Sequence, residues 1–265
     1  MSDRNYRHIL SLSGGKDSTA LAIYMHDKLP DLEYVFCDTG KELPETYNYL
    51  ERIEAFLGKR ITVLKDDYGF DHWLQIFGDY LPSPRMRWCT KYLKLHPFER
   101  YIGDSKVISY IGLRADEDRT GYISTKPGIR PLYPFKDDGL YYDDIVQILE
   151  DSGIGLPPYK EWRSRSGCYF CFFQQKIEWV GLLENHPDLF WLANDYEKVG
   201  DIANRRFTWC GNESLKELAR PERVSAIKEG YEKRKSKQSI RNDRLIDVFE
   251  SQDDVGPQPC LICTL

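Results

Sequence analysis

The sequence predicts an α/β protein built on a parallel sheet, and three observations carry that prediction. Strand-like apolar runs at residues 9–12, 34–37, 61–64 and 107–112 alternate with helix-like stretches at 17–26, 44–57 and 93–101. Strands alternating with helices at this spacing build a parallel sheet covered on both faces. Polar, glycine-containing segments lie at the ends of the first, second and fourth runs: residues 11–20, Cys37-Asp38-Thr39-Gly40 and Gly112-Leu113-Arg114. Right-handed crossovers bring such strand ends to one rim, where sheets of this kind bind ligands. The 265 residues, 41% hydrophobic and 30% charged, suffice for such a core with a smaller appendage.

In chain order, Ile9 and Leu10 open the first strand. Ser11-Leu12-Ser13-Gly14-Gly15-Lys16-Asp17-Ser18-Thr19-Ala20 then turns into a helix continued by Leu21-Ala22-Ile23-Tyr24-Met25. Leu32-Glu33-Tyr34-Val35-Phe36 forms the second strand, and the helix over 44–57 follows it. Leu156-Pro157-Pro158-Tyr159 marks a turn into a region rich in Trp, Cys and helix formers. The expected organisation is an α/β domain over 1–155, a helical, Cys-rich region over 156–250 and a tail over 251–265.

The first junction has the chemistry of an anion site. Backbone N–H groups at a Gly-rich turn and at a helix N-terminus bind phosphate. Gly14 and Gly15 allow close approach, Lys16 adds a positive charge, and Ser11, Ser13 and Ser18 offer hydroxyls. It is not a Walker P-loop, which places four residues between its first glycine and a Gly-Lys-Ser/Thr triplet. The bland alternative is an ordinary Gly-rich turn before a helix.

Ser13-Gly14-Gly15-Lys16-Asp17-Ser18 resembles the PP-loop of the ATP pyrophosphatases. Asp38-Thr39-Gly40 with Pro44-Glu45-Thr46 resembles the phosphoadenosine-phosphosulfate (PAPS) reductase branch of that superfamily, as do the segments from Arg87 to Lys94 and from Gly112 to Arg119. The likeness covers about residues 7 to 175 and fades beyond. It implies an adenine nucleotide alpha hydrolase-like, Rossmann-like domain with a smaller, mainly helical C-terminal region. It also implies ATP as substrate with Mg²⁺. The nucleotide set it implies is Ser11, Ser13, Gly14, Gly15, Lys16, Asp17, Ser18, Asp38, Thr39, Gly40, Gly112, Arg114 and Arg119. Lys16, Asp17, Arg114 and Cys89 are the expected catalytic residues. Asp38 and Thr39 would place the adenosine or the metal.

The seven cysteines include two C-x-x-C pairs, Cys168/Cys171 and Cys260/Cys263. That spacing lets two thiolates meet one metal or form a redox dithiol. Relatives of this branch carry a [4Fe–4S] cluster on four cysteines, which nominates Cys89, Cys168, Cys171 and Cys210; zinc and free thiols stay open. The adjacent Cys-Cys pair of the cluster-bearing reductases is absent.

The chain is similar in kind to the ATP pyrophosphatase component of Dnd/Ssp-type DNA phosphorothioation systems. That similarity implies adenylation of a DNA backbone for sulfur incorporation, with a cysteine desulfurase as sulfur donor. A sulfonucleotide (PAPS or adenosine phosphosulfate) reductase is a second reading, although the terminal Glu-Cys-Gly motif of those enzymes is missing. A tRNA-thiolating enzyme and a non-catalytic ATP-sensing subunit are further alternatives. The net charge of −5 does not attract nucleic acid, so DNA would need a local patch. Arg220, Arg223, Lys228, Lys233, Arg234, Lys235, Lys237, Arg241 and Arg244 offer one; interleaved Glu222, Glu229 and Glu232 make a solvated helix face the plainer reading. No run spans a bilayer, and the first residues lack a signal peptide's apolar core. A cytoplasmic protein without membrane contact is expected, with a homodimer open.

Overall fold

A computed structural model of the protein describes residues 6–118, 128–199 and 206–240. Its elements run β1 (Arg7–Ser11), α1 (Lys16–His26), β2 (Glu33–Asp38), α2 (Pro44–Leu57), β3 (Ile61–Lys65) and α3 (Gly69–Ile76). A short α4 (Trp88–Thr90), a π-helical turn (Lys91–Leu95) and α5 (His96–Ile102) precede β4 (Val107–Tyr110) and β5 (Ile129–Leu132). Then come α6 (Pro134–Asp137), α7 (Tyr142–Asp151), a 3₁₀ turn (Pro158–Glu161), α8 (Lys176–Asn185), α9 (Pro187–Asp195), β6 (Lys198–Val199), β7 (Arg206–Phe207), α10 (Leu215–Leu218) and α11 (Pro221–Ile240).

The five long strands form one sheet in the order β3-β2-β1-β4-β5, every pairing parallel. Phe36 faces Val63 across β2/β3, and Ile9 faces Ser109 across β1/β4. The order reverses between β1 and β4, and the crevice outside that reversal is where such sheets hold ligands. Alternation along the strands fills both faces. Leu10, Tyr34, Phe36 and Ile108 pack with Leu21, Ile53, Phe135 and Ile145 on one side. Ile9, Val35, Cys37 and Val107 pack with Leu64, Phe98 and Ile102 on the other. Successive side chains of a strand point to opposite faces, so burial on both requires the near-continuous apolar runs seen in β1, β2 and β4.

Two compact units emerge. One comprises the described residues up to Trp73 with Trp88–Cys168; the other comprises Leu74–Arg87 and the described residues from Tyr169 onward. The expected boundary after residue 155 therefore moves to Cys168, because residues 157–168 bond to the loop after β1. The second unit is mainly helical. Phe170 stacks on Trp209 with ring centroids 5.0 Å apart, and Trp179 lies 6.1 Å from Trp209. Reciprocal side-chain caps start α8 (Gln175 with Glu178) and α10 (Ser214 with Glu217). Among the described residues, no helix is long and apolar enough to cross a membrane.

Two elements differ from the sequence expectation. The helix expected over 93–101 is a π-helical turn followed by α5, with His96 N–H donating to the Lys91 carbonyl. Pro97 follows at once; it has no N–H to give to the preceding turn, which breaks the α register there. Strand β5 was not expected, since Pro131 sits inside it. It is an edge strand, where proline is tolerated.

Candidate functional site

The loop between β1 and α1 is shaped by its glycines. Gly14 has φ +69°, and a Cβ there would lie 2.7 Å from Thr46 Cγ2 on α2. Gly15 is the N-cap of α1 and offers no side-chain cap to the helix's first N–H groups. A Cβ on Gly15 would come within 3.0 Å of Ser166 Oγ and 3.2 Å of Ser13 Oγ. The bare glycine thus keeps open a small cradle lined by hydroxyls and facing an uncapped helix N-terminus. Ser13 Oγ lies 3.2 Å from Ser18 Oγ, and Ser18 and Thr19 donate to the Gly15 carbonyl at 3.1 and 2.8 Å. These residues fit the phosphates of a nucleotide: free N–H donors, rotatable hydroxyls and the positive end of a helix dipole.

Charge gathers beside the cradle. Lys16 Nζ reaches Asp17 Oδ1 at 2.5 Å, and Arg114 Nη1 reaches the same oxygen at 2.9 Å. Arg114 also holds Asp116 at 2.8 Å and lies 3.4 Å from Glu117. Burial works against the Arg114 charge, but Asp116, Asp17 and Glu117 outweigh it and raise its pKa. Both cations sit over the ring of Tyr142, Lys16 at 4.6 Å and Arg114 at 5.5 Å from its centroid. Gly112 lets the loop after β4 reach this point, since a Cβ there would meet the Asp17 carbonyl oxygen at 2.8 Å. Three strand-end segments expected on one rim are Ser13–Ser18, Asp38–Gly40 and Gly112–Arg114; the first and third meet in direct contact.

Asp38, expected to place adenosine or metal, has its oxygens engaged within the fold. Oδ1 accepts from Tyr47 at 2.8 Å and from Gly40 N–H at 2.7 Å, and Oδ2 pairs with Lys65 at 2.7 Å. Thr39 bonds to Glu42 at 3.0 Å and to Cys168 Sγ at 3.1 Å. Ser11 is buried, and its hydroxyl has no hydrogen-bond partner. Arg119, Cys260 and Cys263 lie outside the described residues.

The model of the phosphoadenosine phosphosulfate reductase domain matches residues 7–130. A nin-region protein of Escherichia phage lambda is 32% identical over 206 residues, which cover 66% of this chain and 68% of that protein. The chain belongs to the PAPS reductase-like family. An uncharacterised protein of Methanocaldococcus jannaschii is 27% identical over 204 residues, 71% of this chain and 47% of that one. This family member thus spans less than half the length of that archaeal relative. The PAPS reductase of Candida auris shares the fold, with a TM-score of 0.50 and 14% identity over 62% of this chain and 82% of the other.

The four cysteines nominated as ligands in this PAPS reductase-like chain are divided between the two units. Among the described residues, no group of three or more His, Cys, Asp or Glu side chains could hold a metal ion. Cys89 and Cys168 belong to the first unit, Cys171 and Cys210 to the second. Burial, aided by Glu197, pushes the Cys210 thiol up to about 12. For a cluster or a zinc ion, Cys89, Cys168, Cys171 and Cys210 stand as an expectation of the resemblance alone. The basic run is likewise partly spent: Arg223 pairs with Glu213 at 2.5 Å, Lys228 with Glu184 at 2.5 Å and Lys233 with Glu229 at 3.8 Å. Arg241 and Arg244 lie outside the described residues.

Sequence reasoning passed over Tyr142, Tyr159, Ser166 and Glu42 as site residues, and the sequence offers Arg163 only as a weak nucleic-acid candidate. Tyr159 donates to the Gly14 carbonyl at 2.6 Å, and Ser166 to Ser13 Oγ at 3.1 Å. Arg163 is fully buried, donates to the Cys168 carbonyl at 2.7 Å, and leaves Nε and Nη1 without partners. Glu42 is buried with Oε2 unpartnered, and burial raises its pKa despite Lys94, Thr39 and Arg163. Tyr159, Ser166 and Glu42 carry no motif, and their contacts with Gly14, Ser13 and Cys168 cross more than a hundred positions of sequence.

Proposed function

We propose that this chain is an ATP pyrophosphatase that adenylates an acceptor for sulfur incorporation. The observation that carries this reading is the uncapped N-terminus of α1 beside Lys16 and Arg114, both bound to the one carboxylate of Asp17. Asp17 stores the two cations close together at the cradle without leaving them bare. A triphosphate, with more negative charge and more acceptors, would draw both from it. An acceptor oxygen attacks the α-phosphorus, the bond to the bridging oxygen breaks, and pyrophosphate leaves with the electron pair. Lys16, Arg114 and the α1 amides stabilise the charge that develops on that leaving group, so catalysis is positioning and electrostatics. A divalent ion arriving with the nucleotide would neutralise further charge, and Asp17 is already committed to Lys16 and Arg114.

The proposed acceptor is a nucleic-acid backbone, with sulfur delivered by a cysteine desulfurase. The likeness of the PP-loop and Asp-Thr-Gly segments to the DNA phosphorothioation enzymes supports it, as do the exposed Arg234 and Lys235 on α11. Sulfonucleotide reduction is the second reading, favoured by the family's name-giving domain over residues 7–130.

The test is product analysis of ATP turnover with and without DNA. AMP and pyrophosphate, lost in a folded Lys16→Ala variant, support the proposal. ADP and phosphate, or normal turnover in that variant, overturn it. Sulfite release from PAPS with a thiol reductant would favour the reductase.

A further inference from the structure

Residues 157–168 cross the ends of β1 and β2 as a strap, and they lie beyond the 7–130 span of the reductase domain. The strap is held at several points. Tyr159 OH donates to the Gly14 carbonyl at 2.6 Å. Arg163 donates to the Cys168 carbonyl at 2.7 Å. Cys168 forms an isolated antiparallel bridge with Glu42, and its Sγ lies 3.1 Å from Thr39 Oγ1. So fixed, the strap delivers one hydroxyl into the loop: Ser166 Oγ stands 3.1 Å from Ser13 Oγ, over the space that a Cβ on Gly15 would occupy.

Resting on the nucleotide reading above, we infer that Ser166 is a phosphate-binding residue of this site and Tyr159 a positioning residue acting through the Gly14 carbonyl. A row of hydroxyls, Ser166, Ser13 and Ser18, flanks the bare Gly15. Ser18 spends its proton on the Gly15 carbonyl, and Ser166 spends its proton on Ser13. A hydroxyl rotates to suit its partner, and a charged phosphate oxygen is a stronger acceptor than a neutral serine oxygen. When a phosphate enters the cradle, Ser166 turns its proton to it. Ser166 is partly exposed, so the ligand can reach it. On the nucleotide reading above, the cradle at the N-terminus of α1 takes the β- and γ-phosphates that leave as pyrophosphate, and the α-phosphate that stays with AMP lies outside it.

The test is equilibrium binding of ATP, inorganic pyrophosphate and AMP to the full chain. Ser166→Ala should weaken ATP and pyrophosphate by about ten-fold, as expected for a hydrogen bond to a charged group, while AMP is unchanged. Ser166→Thr, which restores a hydroxyl, should recover most of the loss. Tyr159→Phe should raise KM for ATP with little change in kcat. Unchanged ATP and pyrophosphate affinity in Ser166→Ala, or an equal loss for AMP, overturns the inference and leaves the nucleotide reading standing. A wild-type chain that binds neither ATP nor pyrophosphate overturns both.

Discussion

Arg114 Nη1 sits 2.9 Å from Asp17 Oδ1, the oxygen that Lys16 also reaches. The pair joins the loop after β4 to the first turn of α1 across the point where strand order reverses. Removing Arg114 leaves Asp17 with Lys16 alone and strips one cation from the cradle. Arg114→Ala should lower kcat/KM for pyrophosphate release by roughly 100-fold, the order expected for a charge-assisted contact to phosphate. Steady-state kinetics with coupled pyrophosphate detection checks this; a loss under three-fold would remove Arg114 from the site.

Gly112→Ala should disturb the same junction sterically. Its Cβ would meet a backbone oxygen, Asp17 O, at 2.8 Å, and backbone cannot swing aside as a side chain can. A cost of about 1–3 kcal/mol is expected from such overpacking. Urea unfolding should show a lowered midpoint, accompanied by weaker ATP binding. A variant as stable and as active as the parent would show that the two segments part easily.

The buried carboxyl of Glu42 makes stability depend on pH. Burial raises its pKa above the ordinary 4.5, so the folded chain keeps a proton that the unfolded chain gives up. The contribution is complete below the unfolded pKa and is lost as pH rises through the folded one. Glu42→Gln preserves the acceptor for Thr39 and removes the titration. The variant's stability relative to wild type should therefore increase as pH rises above the unfolded value of 4.5, measured by urea midpoints. A difference that stays flat would mean that Glu42 is ionised in the fold.

Cys37 and Cys210 should resist alkylation in the native protein. Burial pushes their thiols up to about 11 and about 12, and the thiolate is the reacting species. Iodoacetamide labelling read by mass spectrometry should mark both far more slowly than in the unfolded chain. Rapid native labelling of either would show that its surroundings open to solvent.

Much of the sheet was legible because β1, β2 and β4 are buried on both faces and must be apolar nearly throughout. Ile9 and Leu10 face opposite layers, as do Val35 and Phe36. The Gly14-Gly15-Lys16 turn was legible for a different reason: its chemistry is local and contiguous. Pro131 hid β5, and Pro97 hid the π-helical turn, since each breaks the pattern by which its element would be recognised. Ser166 and Tyr159 gave no signal at all. Their partners, Ser13 and Gly14, are 153 and 145 positions away, and nothing in a serine or tyrosine announces a contact at that distance.

The strap also sets an order of assembly. The last strand of the sheet ends at Leu132, but the hydroxyl that holds the Gly14 carbonyl follows some thirty residues later, at Tyr159. Contacts between distant positions are the last to form in a growing chain. A nascent chain halted just after β5 would carry the whole sheet and every residue of the glycine-lysine loop yet hold that loop loosely.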